Sequence, residues 1–172
     1  MFEGPLDYHL ISDDPFPVFM GELPRAYEDI PAKVVVNLCG VYPLGEPFGR
    51  TVLSMPLLDA LEPELCPSRE NLERFLDAVH HYASTEASYW HCHAGINRSG
   101  LALAAYLHRH RGLRIGEAVA TMRARRSPMV LCNSLFEGQL RNWYGRPEEK
   151  GFEPFNMDRY LSERTGSRDD WR

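Results

Sequence analysis

The chain has 172 residues, 44% of them hydrophobic and 25% charged, a balance that excludes both a disordered chain and a membrane-embedded one and fits one domain with a real core. A formal charge of −5 excludes a broad basic surface for nucleic acid, so an anionic ligand must be drawn in by a local site. The four cysteines at 39, 66, 92 and 132 are widely spaced, no basic-then-apolar leader opens the chain, and no run nears the roughly 18 apolar residues of a membrane span, so reduced thiols in a cytoplasmic, reducing compartment are expected.

In chain order, residues 1–16 are polar and Pro-rich and read as a coiled lead-in, followed by a short strand at Val18-Phe19-Met20 closed by Gly21. The β-branched run from Lys33 to Cys39, ended by Gly40, predicts a strand buried on both faces, and Thr51–Met55, stopped by Pro56, predicts another. Ser68 can cap a helix reaching about Ala83, because Leu72, Phe75, Leu76 and Val79 recur at helical spacing. Ala87–His91 reads as a strand running straight into a glycine-containing loop at 92–98. From Ser99 a strongly helical stretch runs to about Gly112, and two further helices are expected over Arg114–Arg125 and about Ser134–Trp143. The fold class is therefore α/β, a small central mixed or parallel sheet flanked by helices. The tail at 145–172 is low in apolar content and is expected to be mobile or to form a short amphipathic piece around Phe152, Phe155 and Tyr160.

The chemistry concentrates in His91-Cys92-His93-Ala94-Gly95-Ile96-Asn97-Arg98-Ser99-Gly100. A Cys followed six positions later by Arg is weak alone, with roughly 0.4 chance matches in this composition. Requiring also the preceding His, the Gly three after the Cys and the hydroxyl after the Arg lowers that to the order of 10⁻⁴. A loop at a helix start aims backbone N–H groups and the positive end of the helix dipole at an anion, so His93, Ala94, Gly95, Ile96 and Asn97 are read as the cradle for a phosphate. Arg98 offers a planar fork that holds two phosphate oxygens at once. The same donors lower the pKa of Cys92 and make it a nucleophile toward phosphorus, and Ser99 is placed to donate to the sulfur when it leaves again. His91 is read as structural. As metal ligands His91, Cys92 and His93 are poorly spaced, so no metal is expected.

These ten residues resemble the signature of the protein tyrosine phosphatase superfamily, and the chain from about 17 to 143 is similar to its compact dual-specificity branch. Pro17–Gly21, the Val34–Cys39 strand, Pro56-Leu57-Leu58-Asp59, and Asn133 with Phe136 and Gln139-Leu140 carry the likeness. On that resemblance residues 17–144 form the catalytic domain, and the reaction is a two-step hydrolysis of a phosphomonoester without a cofactor. The Trp-Pro-Asp loop and tyrosine-recognition loop of longer tyrosine-specific relatives have no counterpart, so strict phosphotyrosine specificity is not expected.

A leaving oxygen needs a proton donor. Asp59, 33 positions before Cys92, falls where the branch carries its acid, with Glu62 and Glu64 as fallbacks and a turn cap as the plain alternative. Arg126 has two readings of equal weight: a solvated cation at a helix end, or, by resemblance, a ligand for a second phosphate. Cys39, Cys66 and Cys132 are read as ordinary thiols, with Cys39 the first choice should a second cysteine protect Cys92. The expected partner is a phosphorylated protein carrying phosphotyrosine, with phosphoserine and phosphothreonine next. An RNA 5′-phosphatase or triphosphatase stays open as the alternative, since Gly95-x-Asn97-Arg98 resembles that branch. A phosphoinositide is less favoured because the loop holds His93 and Ile96 and no lysine. A pseudophosphatase that only binds phosphoproteins is opposed by the intact Cys92, Arg98 and Ser99.

Overall fold

In the computed structural model the described residues are 4–145 and 154–164. Five strands, β1 (Tyr8–Ser12), β2 (Val18–Gly21), β3 (Val34–Asn37), β4 (Thr51–Ser54) and β5 (Ser88–His91), form one sheet in the order β1-β2-β5-β3-β4. β5 lies at its centre, parallel to β2 and β3, while β1 runs antiparallel to β2 at one edge. The helices are α1 (Arg69–Ala83), α2 (Arg98–Arg111), α3 (Ile115–Arg125), α4 (Ser134–Tyr144) and α5 (Met157–Arg164). No helix among the described residues is long and apolar enough to cross a membrane.

Alternation along the strands sorts the core into two layers. Val18, Met20, Val34, Val36 and Trp90 face the helices and join the larger cluster, whereas Val35 and Tyr89 face the other side and are covered by Tyr27, Ile30 and Ala32. β3 is buried throughout, as its unbroken apolar run predicts. α2 is enclosed from Ser99 to Leu107 and packs against α1, α3 and α4, so its N-terminus is aimed from a fixed axle. Ser68 Oγ accepts the Asn71 N–H at 3.2 Å and starts α1, and Gly112 ends α2 in the left-handed conformation.

One expectation changes. The lead-in is not a coil: residues 8–12 pair with β2, but of the five only Ile11 is fully buried, too little apolar pattern to reveal a strand whose partner supplies its hydrogen bonds. In the tail, α5 follows Phe155, whose ring lies 5.7 Å from that of Tyr160, while Phe152 falls outside the described residues.

Candidate active site

The loop 92–97 leaves the C-terminal end of the central strand and enters α2, the place where open α/β sheets present their ligand sites. Gly95 takes φ +65, and a Cβ there would collide with the carbonyl of Gly21, so neither the backbone turn nor the close approach to β2 tolerates a side chain. The loop is tied to its surroundings through its carbonyls: His93 O accepts from Leu23 N at 2.9 Å and Ile96 O from Leu131 N at 3.3 Å. His93 and Ala94 are exposed at the mouth, while Gly95 is buried.

Cys92 is 2% exposed, and its Sγ lies 3.4 Å from Ser99 Oγ. Burial alone would push this thiol up, yet the Ser99 hydroxyl, the Ser99 and Ile96 N–H groups and the Arg98 charge together bring it below the ordinary thiol range. Arg98 donates through Nη1 to Leu57 O at 3.4 Å, and its buried Nε has no hydrogen-bond partner among the described residues. A guanidinium so held presents donors to an oxyanion beside the thiol. His91 is fully buried, with Nδ1 3.4 Å from Cys92 O; burial pulls it down to about 4, so it is neutral near pH 7 and braces the backbone at Cys92 without adding charge.

Asp59 reaches this loop from the segment after β4. Its Oδ2 accepts from Asn97 Nδ2 at 3.1 Å and its Oδ1 from Asn133 Nδ2 at 2.8 Å. Asn133 also donates to Ala60 O at 3.0 Å, while its own Oδ1 caps α4 by accepting from Leu135 N and Phe136 N. Asn97 Oδ1 in turn accepts from Asn133 N at 3.0 Å and from Cys132 Sγ at 3.4 Å. A carboxylate is thereby laid over the catalytic loop by two amides. Glu62, by contrast, turns back to the N–H of Leu61, and Glu64 is exposed in a 3-10 turn at 63–65.

Arg126 sits differently from both readings of it. Its side chain is 5% exposed and its guanidinium is spent on Asp7 and on the carbonyls of Ala94 and Gly95, so it is neither a solvated helix end nor an open cation beside the pocket. Asn133 and Asp7 are the residues to which sequence reasoning assigned no role. The N-cap position before α4 was the available signal for Asn133; nothing local marks Asp7. All four cysteines are free thiols, and burial holds Cys39 above its ordinary range despite the Arg98 charge nearby.

A buried thiol at the start of an enclosed helix, with an arginine fork beside it, is the arrangement expected of a cysteine-based phosphatase. Residues 22–146 match the family model described as dual specificity phosphatase, catalytic domain, and the chain belongs to that family. Its fold is similar to the crystal structure of human DUSP28, with TM-score 0.66, 23% identity and coverage of 83% of this chain and 95% of that one. Tk-PTP in its active form matches with TM-score 0.63 and 23% identity over 82% and 97% of the two chains. PTPMT1 in complex with PI(5)P matches with TM-score 0.55 and 21% identity over 79% and 97%. The mixed sheet flanked by helices and the family membership agree with what the loop residues imply.

Proposed function

We propose that the protein hydrolyses phosphomonoesters of phosphoproteins, phosphotyrosine first and phosphoserine and phosphothreonine after it, through a phosphocysteine. In the first step the Cys92 thiolate forms an S–P bond in line with the ester, the P–O bond breaks, and Asp59 gives its proton to the departing oxygen. In the second, Asp59 as carboxylate takes a proton from water as that water attacks phosphorus. The S–P bond then breaks, Ser99 donates to the returning thiolate, and inorganic phosphate leaves. Arg98 and the loop N–H groups hold the equatorial oxygens, whose charge they offset more strongly as the bonds loosen.

The observation that carries this reading is the juxtaposition of a thiol 3.4 Å from the Ser99 hydroxyl with a carboxylate fastened to Asn97 of the same loop. A substrate bearing one phosphate group is supported by the absence of lysine from 92–98. The test is a panel of an aryl phosphate, phosphotyrosine and phosphothreonine peptides, a 5′-triphosphorylated oligonucleotide and a phosphoinositide, with acid quench of a labelled phosphopeptide to trap the phosphoenzyme. Turnover of the aryl phosphate and the peptides, a trapped phosphoenzyme, and loss of both in Cys92→Ser are expected. Turnover surviving Cys92→Ser overturns the mechanism, and preference for the oligonucleotide or the lipid overturns the substrate class.

A further inference from the structure

Arg126 closes α3, its N–H bonding Met122 O at 2.8 Å, and from there its side chain turns under the catalytic loop. Nη2 donates to Ala94 O at 3.1 Å and Nε to Gly95 O at 3.4 Å. Nη1 pairs with Asp7 Oδ1 at 2.7 Å and lies 3.1 Å from His9 Nδ1. All three guanidinium nitrogens are therefore engaged, Nε and Nη2 with the loop carbonyls and Nη1 with Asp7 and His9. Asp7 is itself fixed: its N–H donates to Glu22 Oε1 at 3.2 Å and its carbonyl accepts from Glu22 N at 3.1 Å.

A trans peptide unit is planar, so the carbonyl of one residue and the N–H of the next point in opposite directions. Anchoring the carbonyls of Ala94 and Gly95 on Arg126 therefore turns the N–H groups of Gly95 and Ile96 to the opposite side of the loop. The Ile96 N–H on that side is one of the groups that draw the Cys92 thiol below its ordinary range. We propose that Arg126 is a positioning residue for the reaction, setting two consecutive peptide planes of the catalytic loop so that their N–H groups face phosphate and sulfur, with Asp7 as the counter-ion that keeps it there. The segment leading into β1, which lies ahead of the matched residues 22–146, thereby becomes part of the active-site support. A buried cation between two carbonyls and one carboxylate suits this task, because an arginine fork reaches both carbonyls at once.

The inference rests on the loop's reading as a phosphate cradle, and its test is made without turnover so that the two can fail separately. Arg126→Met, Arg126→Lys and Asp7→Asn are made in the full chain. Tungstate binding is measured by calorimetry, Cys92 ionisation by ultraviolet thiolate absorbance against pH with Cys92→Ser as background, and folding by thermal melting. Arg126→Met is expected to weaken tungstate binding about tenfold, the loss of hydrogen bonds to a charged donor, and to move Cys92 ionisation to higher pH. Arg126→Lys restores part of both, and Asp7→Asn gives a shift of about two- to threefold in the same direction, as for a partly exposed ion pair. A folded Arg126→Met with wild-type tungstate affinity and thiol titration overturns the proposal. Should Arg126→Met not fold, unchanged values in Asp7→Asn overturn it, the Asp7 side chain being 56% exposed. A loss confined to doubly phosphorylated peptides, with tungstate binding intact, overturns it in favour of a second-phosphate role.

Discussion

Between Cys92 and Arg98 the chain is fastened on every side: its carbonyls are taken by Leu23, Leu131 and Arg126, and Gly95 is pressed against Gly21. The segment 56–62 is buried only at its root, where Leu57 is enclosed and its N–H bonds Leu38 O; Pro56, Leu58, Asp59 and Leu61 are exposed, and the tip is held by the side-chain amides of Asn97 and Asn133. The difference suits the two proposed tasks. Donors that stabilise charge in a transition state work by being fixed beforehand, because nothing is then spent on reorganising them. An acid that must act on substrates of different shape is better carried on a loop that can lift and settle.

Substitutions can break or sharpen that contrast. Arg98→Lys removes the fork from the fixed loop, and kcat/KM should fall on the order of 10²–10³-fold for every substrate; a fall under about tenfold would argue against the loop's preorganisation. Asp59→Asn should cost about 10²-fold on alkyl phosphates and leave activated phenols near wild type, measured as leaving-group dependence of kcat, and an equal effect on both would move the acid elsewhere.

Ser99→Ala removes a donor that lowers Cys92 while burial, which raises it, remains. The thiolate is the reactive form and exists above its pKa, so the acid limb of the kcat/KM profile should move to higher pH. The loss should be about tenfold on the acid side per pH unit of movement and should vanish above the limb. An unmoved limb would place the control of the thiol in the backbone alone. Asn133→Ala should cost about 1 kcal/mol of stability as a lost cap and lower kcat on alkyl phosphates a few fold at most. If stability falls but leaving-group dependence stays as in wild type, Asn133 serves α4 and not the acid loop.

Much of this was legible because it is local. Ser68 caps α1, β3 is an unbroken apolar run, and the strand-loop-helix around Cys92 places thiol, glycine, arginine and hydroxyl within ten consecutive residues. β1 was missed because one buried residue in five leaves no period to read, and its pairing depends on β2. Arg126 was misplaced because a helix-terminal arginine looks the same in sequence whether solvent or a buried carbonyl pair receives it. Here the receiver is Asp7, 119 positions away, together with Ala94 and Gly95.

The sequence by itself thus determined the α/β class and the family, and it holds the motif on which the loop's proposed chemistry rests, since strand and helix periods and the ten residues from His91 are local patterns and every helix start provides a dipole. Only the tertiary structure decided that Asp59 and not Glu62 reaches Asn97, that Asn133 joins an acid to a helix cap, and that Arg126 lies behind the loop with Asp7 for a counter-ion. Those contacts are made by side chains brought together from distant parts of the chain by the packing of α2, α3 and α4 against the sheet, and no spacing within the sequence encodes them.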